Sequence, residues 1–212
     1  METSLMASGA KADAAALALA ERLLESGHCE EARALAAEAD GAGGEQQRQR
    51  LLAKAAARAN RLGESQLRFR QALAHGPETH DDKTSLAIVL IALTEIEEAE
   101  CLLREVLAEK PDHARALGGI GLIQLRAGRR HEAMTSFQHA LDNGLDNPMI
   151  VRHYIEAALG ASNRETAAPV MERYGHGRLS EAESLRSHAA LLHELGRTRE
   201  AAAKLEALRS AG

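Results

Sequence analysis

One short pattern recurs along this chain and limits its fold more than any other feature. A glycine is followed five residues later by alanine in GHCEEA (27–32), GRRHEA (128–133) and GRTREA (196–201). Weaker copies start at Gly63, Thr94 and Asn163, so the six starting positions lie 36, 31, 34, 35 and 33 residues apart. Such a period indicates a repeat protein, in which each unit buries its apolar face by packing against its neighbours.

Each unit is predicted to consist of two helices joined at the glycine. The glycine provides the positive φ angle that ends the first helix. The second helix of the third copy, predicted over 97–109, places Ala99, Leu103 and Val106 on one face. Pro111 then ends the pair, because the residue before a proline avoids the α region. In the second copy Arg68 stands where alanine is expected, and the pattern fits better when it is shifted by three residues.

The composition favours the all-α class as well. Hydrophobic residues make up 45% of the chain but aromatic residues only 2%. The core must therefore be built mainly from alanine and leucine, which suits closely packed helices. The formal net charge is −5. A broad nucleic-acid or anionic-membrane surface is not expected, because such partners require a strong cationic field.

The chain is predicted to form an N-terminal segment over 1–11 and a single solenoid over 12–212. The glycine-rich stretch EADGAGGEQQ (38–47) is interpreted as a long loop between repeats, with a hinge as the alternative. Neither a signal peptide nor a membrane span is expected, because Asp13 interrupts the N-terminal apolar stretch and no charged leader precedes it. With only Cys29 and Cys101, neither a disulfide framework nor a cysteine zinc site is predicted, and a cytoplasmic location is expected.

The stretch ALGGIGLIQLRAG (116–128) resembles the start of a phosphate-binding loop. That loop requires a preceding strand and a third glycine at position 124, where Gln124 stands. A helix start precedes it instead, with Asp112 as the expected cap. The glycines are therefore predicted to lie within a helix, with Gly121 at the close contact with the second helix of its pair and Gly118 on the inner face.

No group of residues in the sequence has the spacing of a catalytic or metal-binding motif. His131 and His193 are each followed by glutamate, as in HExxH, but Thr135 and Arg197 occupy the position of the second histidine. His28 and Cys29 are sequence neighbours whose side chains point in different directions at a helix start, so they do not form a dyad. We therefore predict no catalytic residue, no metal site, no cofactor and no enzymatic activity.

These features resemble the tetratricopeptide (TPR) repeat family. The fourth copy carries the resemblance best; its matching residues are Leu117, Gly121, Gly128, Ala133, Phe137 and Ala140. The resemblance implies an all-α, right-handed superhelical solenoid of about six antiparallel helix pairs. It also implies a concave groove, lined by the first helix of each pair, that binds a partner. The groove residues predicted in this way are Thr84, Ile88, Ile91, Arg115, Gly118, Leu122, Leu125, Arg126, His153 and Ala157.

The predicted function is a non-enzymatic scaffold or adaptor that binds a peptide or helix of a partner protein in an apolar concave groove. The alternative is an assembly chaperone or accessory subunit of a larger system, for example a cell-envelope or glycan-modifying enzyme. RNA binding is disfavoured, because the inner face would then be basic and polar rather than apolar. A homodimer through a terminal repeat is compatible with the Ala/Leu faces there, since end units normally need a polar cap.

Overall fold

The computed structural model describes residues 2–39, 44–145, 147–161, 169–170, 192–193, 196 and 198–210. Every regular element among these residues is helical. The bounds of the longer helices are as follows: α1 Glu2–Glu25, α2 Cys29–Glu38, α3 Glu45–Arg58, α4 Leu62–Ala74, α5 His80–Ala92, α6 Ile96–Glu109, α7 Ala114–Arg126, α8 Arg130–Asp142, α9 Pro148–Gly160 and α10 Thr198–Ser210. The predicted all-α class is confirmed.

Helices that follow one another in the chain pack as stacked pairs. Helix α1 packs on α2, α3 on α4 and α7 on α8, while α2, α4 and α8 also contact the first helix of the next pair. First helices of neighbouring pairs meet as well, α1 with α3 and α7 with α9. This is the arrangement of a TPR-like solenoid fold, in which each helix pair completes the core of its neighbour.

The chain divides into two compact units, Met1–Leu102 and Leu103–Gly212. The division falls inside α6 and not in the predicted linker 38–47. Around that linker, α2 and α3 pack against each other and share one apolar core, to which Ala36, Ala39 and Leu51 contribute. Helix α1 begins at Glu2, so the predicted boundary at residue 11 does not coincide with a helix boundary.

In the pairs whose turn is described, the turn is made by a residue with a positive φ angle. Gly27, Gly128 and Gly196 adopt φ angles of +89°, +74° and +74°, as their sequence pattern predicts, and Thr94 adopts +66°. In the second pair this residue is Asn60, at +57°, three residues before Gly63. Asparagine tolerates this region because its short side chain can bond locally. The shifted register is thus the correct one.

The shifted register also explains why Arg68 interrupts the pattern. Five residues after Asn60 comes Ser65, which is fully buried and donates a hydrogen bond of 2.9 Å from Oγ to the Ala53 carbonyl. Ser65 therefore takes the position that Ala32, Ala99 and Ala133 hold in the other pairs, all of them buried. A small side chain is needed here because the two helices of a pair cross closely.

The start of α7 differs from the prediction in one residue. The N-cap is His113 and not Asp112, and its Nδ1 accepts a hydrogen bond of 3.2 Å from the backbone N–H of Ala116. Helix α6 ends at Glu109, two residues before Pro111, as expected. The fifth sequence copy, which starts at Asn163 and continues to Ala168, lies outside the described residues.

Candidate protein-binding face

The residue with positive φ gives each pair a common reference point. We call Gly27, Asn60, Thr94 and Gly128 the turn residues, and the surface of the first helices that precede them the first-helix face. This face has one part in unit 1, on α1, α3 and α5, and one part in unit 2, on α7 and α9.

The position ten residues before each turn residue is used for contacts between helices. The residues at this position are Leu17, Arg50, Thr84 and Gly118. Leu17, Thr84 and Gly118 are buried, and only 22% of the Arg50 side chain is exposed. The family resemblance predicts that Thr84 and Gly118 line a groove. In this structure they are covered by the protein itself, so a partner cannot contact them.

In unit 1 the contact at this position is ionic. The Arg50 guanidinium donates two hydrogen bonds to Asp82, from Nε to Oδ1 and from Nη2 to Oδ2, each 2.6 Å long. The Asp82 side chain is only 2% exposed. The hydrogen bond to Asp82 raises the pKa of Arg50 above its ordinary value, and the charge of Asp82 acts in the same direction. This paired fork joins α3 to α5.

In unit 2 the contact at this position is apolar. A methyl group built on Gly118 would lie 2.9 Å from Cδ2 of Leu145 and 3.3 Å from Cδ1 of Ile150. The glycine thus lets the start of α9 approach α7 closely. One turn further, a methyl group on Gly121 would lie 2.5 Å from two ring carbons of Phe137 on α8. The prediction that Gly121 is the close contact within its pair is therefore confirmed.

Two rows of side chains remain accessible on the first-helix face. Six residues before the turn residues, the side chains are partly exposed; these are Glu21, Lys54, Ile88 and Leu122. Two residues before the turn residues, the side chains are exposed; these are Glu25, Arg58, Ala92 and Arg126. Because the two rows are four residues apart, their members share one face of each helix.

The predicted groove residues fall into three groups in the structure. Those that are buried are Thr84, Ile91, Gly118 and Ala157. Those that are partly exposed are Ile88, Leu122, Leu125 and His153, and those that are exposed are Arg115 and Arg126. The apolar members largely belong to the core: Leu122 and Leu125 pack against the cluster that contains Val151 and Tyr154. The accessible face is consequently more polar than the sequence suggests.

His153 turns toward the second helix of the preceding pair. Its ring stacks on that of Phe137, with centroids 6.3 Å apart and planes 22° from parallel. Its Nδ1 lies 3.2 Å from a carboxylate oxygen of Glu156. His153 is therefore held between α8 and α9 and presents only part of its ring to solvent.

The sequence-based set missed the accessible charges of unit 1. Glu21, Lys54 and Arg58 stand on α1 and α3, and none of them was predicted to face a partner. The signal that identifies Lys54 and Arg58 is the shifted register of the second copy. These residues fall in the two accessible rows only when Asn60 is the turn residue.

A serine–histidine contact lies at the turn after α1. Ser26 Oγ lies 2.9 Å from His28 Nδ1, and it also lies 3.1 Å from the carbonyl oxygens of Arg22 and Leu23. Both side chains are exposed, so this contact reads as a helix-end turn and not as an activated nucleophile. Within the part of the chain that the structure describes, no cluster of His, Cys, Asp or Glu side chains is suited to hold a metal ion.

The class of protein is defined by this geometry: stacked helix pairs with close Gly/Ala contacts and a first-helix face are the TPR fold. Solved structures share it at low sequence identity. PilF of Pseudomonas aeruginosa has a TM-score of 0.74 and 19% identity, over 92% of this chain and 89% of its own. PilW, a widely conserved type IV pilus biogenesis factor, has a TM-score of 0.77 and 17% identity, over 94% and 98%.

A third solved structure is similar over a smaller part of its own length. A tetratricopeptide repeat protein from Parabacteroides merdae has a TM-score of 0.68 and 14% identity, over 94% of this chain and 78% of its own. No family model matches the sequence, and no curated protein matches it. The solved structures therefore establish the TPR-like fold of this chain.

Among the described helices, none is long and apolar enough to cross a membrane. Even α1, the longest of them, has charged residues such as Asp13, Glu21 and Arg22 along its length.

Proposed function

We propose that this protein is a non-enzymatic interaction scaffold that binds a segment of a partner protein on its first-helix face. The observation that carries the proposal is the row of side chains six residues before the turn residues, which keep exposed surface on the first helices. In unit 2 this row presents Leu122 partly exposed, with Arg115 and Arg126 exposed on the same helix. An apolar side chain bordered by arginines suits a partner segment that carries an apolar residue and acidic flanks.

The test is a pull-down from the native host with unit 2 variants. We expect Leu122→Asp, and independently Arg115→Glu/Arg126→Glu, to lose partners that the wild-type protein retains, because charge then opposes the partner's apolar and acidic groups. The matched control is Leu67→Asp on α4, where Leu67 is 55% exposed and outside this face. Circular dichroism checks that each variant stays helical. Recovery of the same partners by all three variants would refute the assignment of this face.

The second candidate is an assembly factor or accessory subunit of a cell-envelope or glycan-modifying system. The similarity to PilW, which extends over 98% of that chain, is the observation that favours it. An assembly factor is expected to copurify with one stoichiometric catalytic or structural subunit, whereas a broad adaptor brings down several substoichiometric partners. Quantitative mass spectrometry of the purified complex separates the two.

Two further properties remain predictions of the same proposal. A cytoplasmic location is supported by the two free cysteines, Cys29 and Cys101; cell fractionation checks it. A homodimer through a terminal repeat is supported by the exposed Leu205 on α10. Light scattering after size exclusion should then give twice the chain mass, and Leu205→Asp should halve it.

A further inference from the structure

Within unit 1, the accessible side chains of the first-helix face change chemistry from one helix to the next. On α1 they are Glu21 and Glu25, on α3 they are Lys54 and Arg58, and on α5 they are Ile88 and Ala92. Each pair is spaced four residues apart, so its two members lie on one side of their helix. At these two positions the face is therefore acidic on α1, basic on α3 and apolar on α5, while the exposed Asp81 adds one acidic side chain near the start of α5.

The basic pair on α3 is available to a ligand. Lys54 Nζ lies 3.9 Å from Glu21 Oε1, and these side chains are 40% and 44% exposed. Such a long, solvated ion pair is weak, so another carboxylate can replace it at little cost. Arg58 is exposed, and among the described residues no ion pair or hydrogen bond engages it. Arg50, by contrast, is held by the buried Asp82.

We propose that unit 1 binds an extended segment of a partner protein that presents a basic, an acidic and an apolar side chain in that order. The basic side chain meets Glu21 and Glu25, the acidic one meets Lys54 and Arg58, and the apolar one meets Ile88. This inference rests on the proposed function, and it specifies the chemistry of the partner.

The spacing of the three side chains follows from helix packing. Axes of packed helices lie about 9 Å apart, and an extended chain advances about 3.3 Å per residue. Contacts on α1 and α3, which pack against each other, are therefore about three residues apart in the ligand. We use the same spacing for the step from α3 to α5, which the Arg50–Asp82 ion pair joins. The expected pattern is basic-x-x-acidic-x-x-apolar, or its reverse if the segment runs the other way.

The alternation also excludes simpler ligands. A uniformly acidic segment would meet Glu21 and Glu25, and a uniformly basic one would meet Lys54 and Arg58. Like charges placed opposite each other oppose binding, so the face selects for the mixed pattern by repulsion as well as by attraction.

The experiment is a selection from a random dodecapeptide library displayed on phage, against the full chain. The peptides selected by the wild-type protein should carry an acidic residue with a basic residue three positions to one side and an apolar residue three positions to the other. The double variant Lys54→Glu/Arg58→Glu should select a basic residue at the central position. It should also bind the wild-type peptides at least about tenfold more weakly, measured by fluorescence anisotropy.

The matched control is Arg33→Glu/Arg70→Glu, which makes the same change in charge on α2 and α4 and should bind the peptides as the wild type does. Selected peptides without the pattern, equal binding to Lys54→Glu/Arg58→Glu, or no selected peptide at all would overturn the inference. Peptides that lose affinity for Leu122→Asp but not for Lys54→Glu/Arg58→Glu would overturn it while leaving the proposed function intact.

Discussion

Arg50 in unit 1 and Gly118 in unit 2 occupy the same repeat position, ten residues before the turn residue, and they join consecutive first helices in opposite ways. Arg50 reaches across to Asp82 with two hydrogen bonds of 2.6 Å. Gly118 has no side chain, and Leu145 and Ile150 pack over it instead. One connection depends on a long charged side chain, and the other on the absence of a side chain.

This difference teaches that the fold fixes the contact and not its chemistry. Either solution buries the position, so neither residue can serve a ligand. The ionic contact carries a desolvation cost that its hydrogen-bond geometry must offset. It becomes strongly unfavourable when one of the two side chains is removed. The apolar contact requires a glycine, which lowers helix stability by about 1 kcal/mol relative to alanine. It is also sensitive to any side-chain volume added at this position.

The largest effect is expected from Asp82→Ala. The change leaves the half-buried Arg50 guanidinium without its carboxylate. The free energy of unfolding should therefore fall by about 3 kcal/mol. This is the lower end of the range for buried ion pairs that lose one partner, because Arg50 keeps some contact with solvent. Urea unfolding followed by circular dichroism measures it. The double variant Arg50→Met/Asp82→Leu, which removes both charges, should recover most of the loss. If Asp82→Ala unfolds like the wild type, the ionic connection does not hold α3 to α5.

Gly121→Ala should cost about 2 kcal/mol. The new methyl group would lie 2.5 Å from the Phe137 ring, and overpacking of this kind outweighs the gain of about 1 kcal/mol in helix propensity. In the second pair Ala53 takes the position of Gly121, and Phe69 takes the position of Phe137. Both residues are buried. Thermal and urea unfolding provide the measurement.

Two companion variants sharpen this prediction. Gly121→Ala/Phe137→Leu should be less destabilised than the sum of its single changes, because the smaller side chain makes room for the methyl group. Gly118→Ala should cost less than Gly121→Ala, because the nearest atom is the end of the flexible Leu145 side chain and not a ring. Additive single effects would mean that Phe137 does not set the requirement for glycine.

The sequence predicts the helix pairs, the turn glycines and the small residue at Gly121, because these follow from local φ angles and a fixed period. It does not predict that Arg50 meets Asp82, 32 residues away. That contact depends on how consecutive first helices pack. The burial of Thr84 and Ile91, and therefore the polar character of the accessible face, is missed for the same reason.

Thr84→Val should raise the unfolding free energy by about 1 kcal/mol. Thr84 stands at the same repeat position as Arg50 and Gly118, it is fully buried, and its Oγ1 has no hydrogen-bond partner among the described residues. An unsatisfied buried hydroxyl carries a desolvation cost that an isosteric apolar side chain removes. Thermal unfolding measures the shift. A lower midpoint for Thr84→Val would show that the hydroxyl makes a stabilising bond.

The smallest effect on stability is expected from Lys54→Ala, within about 0.5 kcal/mol of the wild type, because the ion pair that Lys54 makes among the described residues is long and solvated. Lys54 stands one turn after Arg50 on α3, so the two changes compare neighbouring charges on one helix. Arg50→Ala should destabilise unit 1. The folded protein of this variant should still select the same peptides, because Lys54 and Arg58 are unchanged. Lys54→Ala should leave urea unfolding unchanged and weaken peptide binding. A Lys54→Ala protein that loses stability comparable to Asp82→Ala would place Lys54 among the structural contacts and remove it from the binding face.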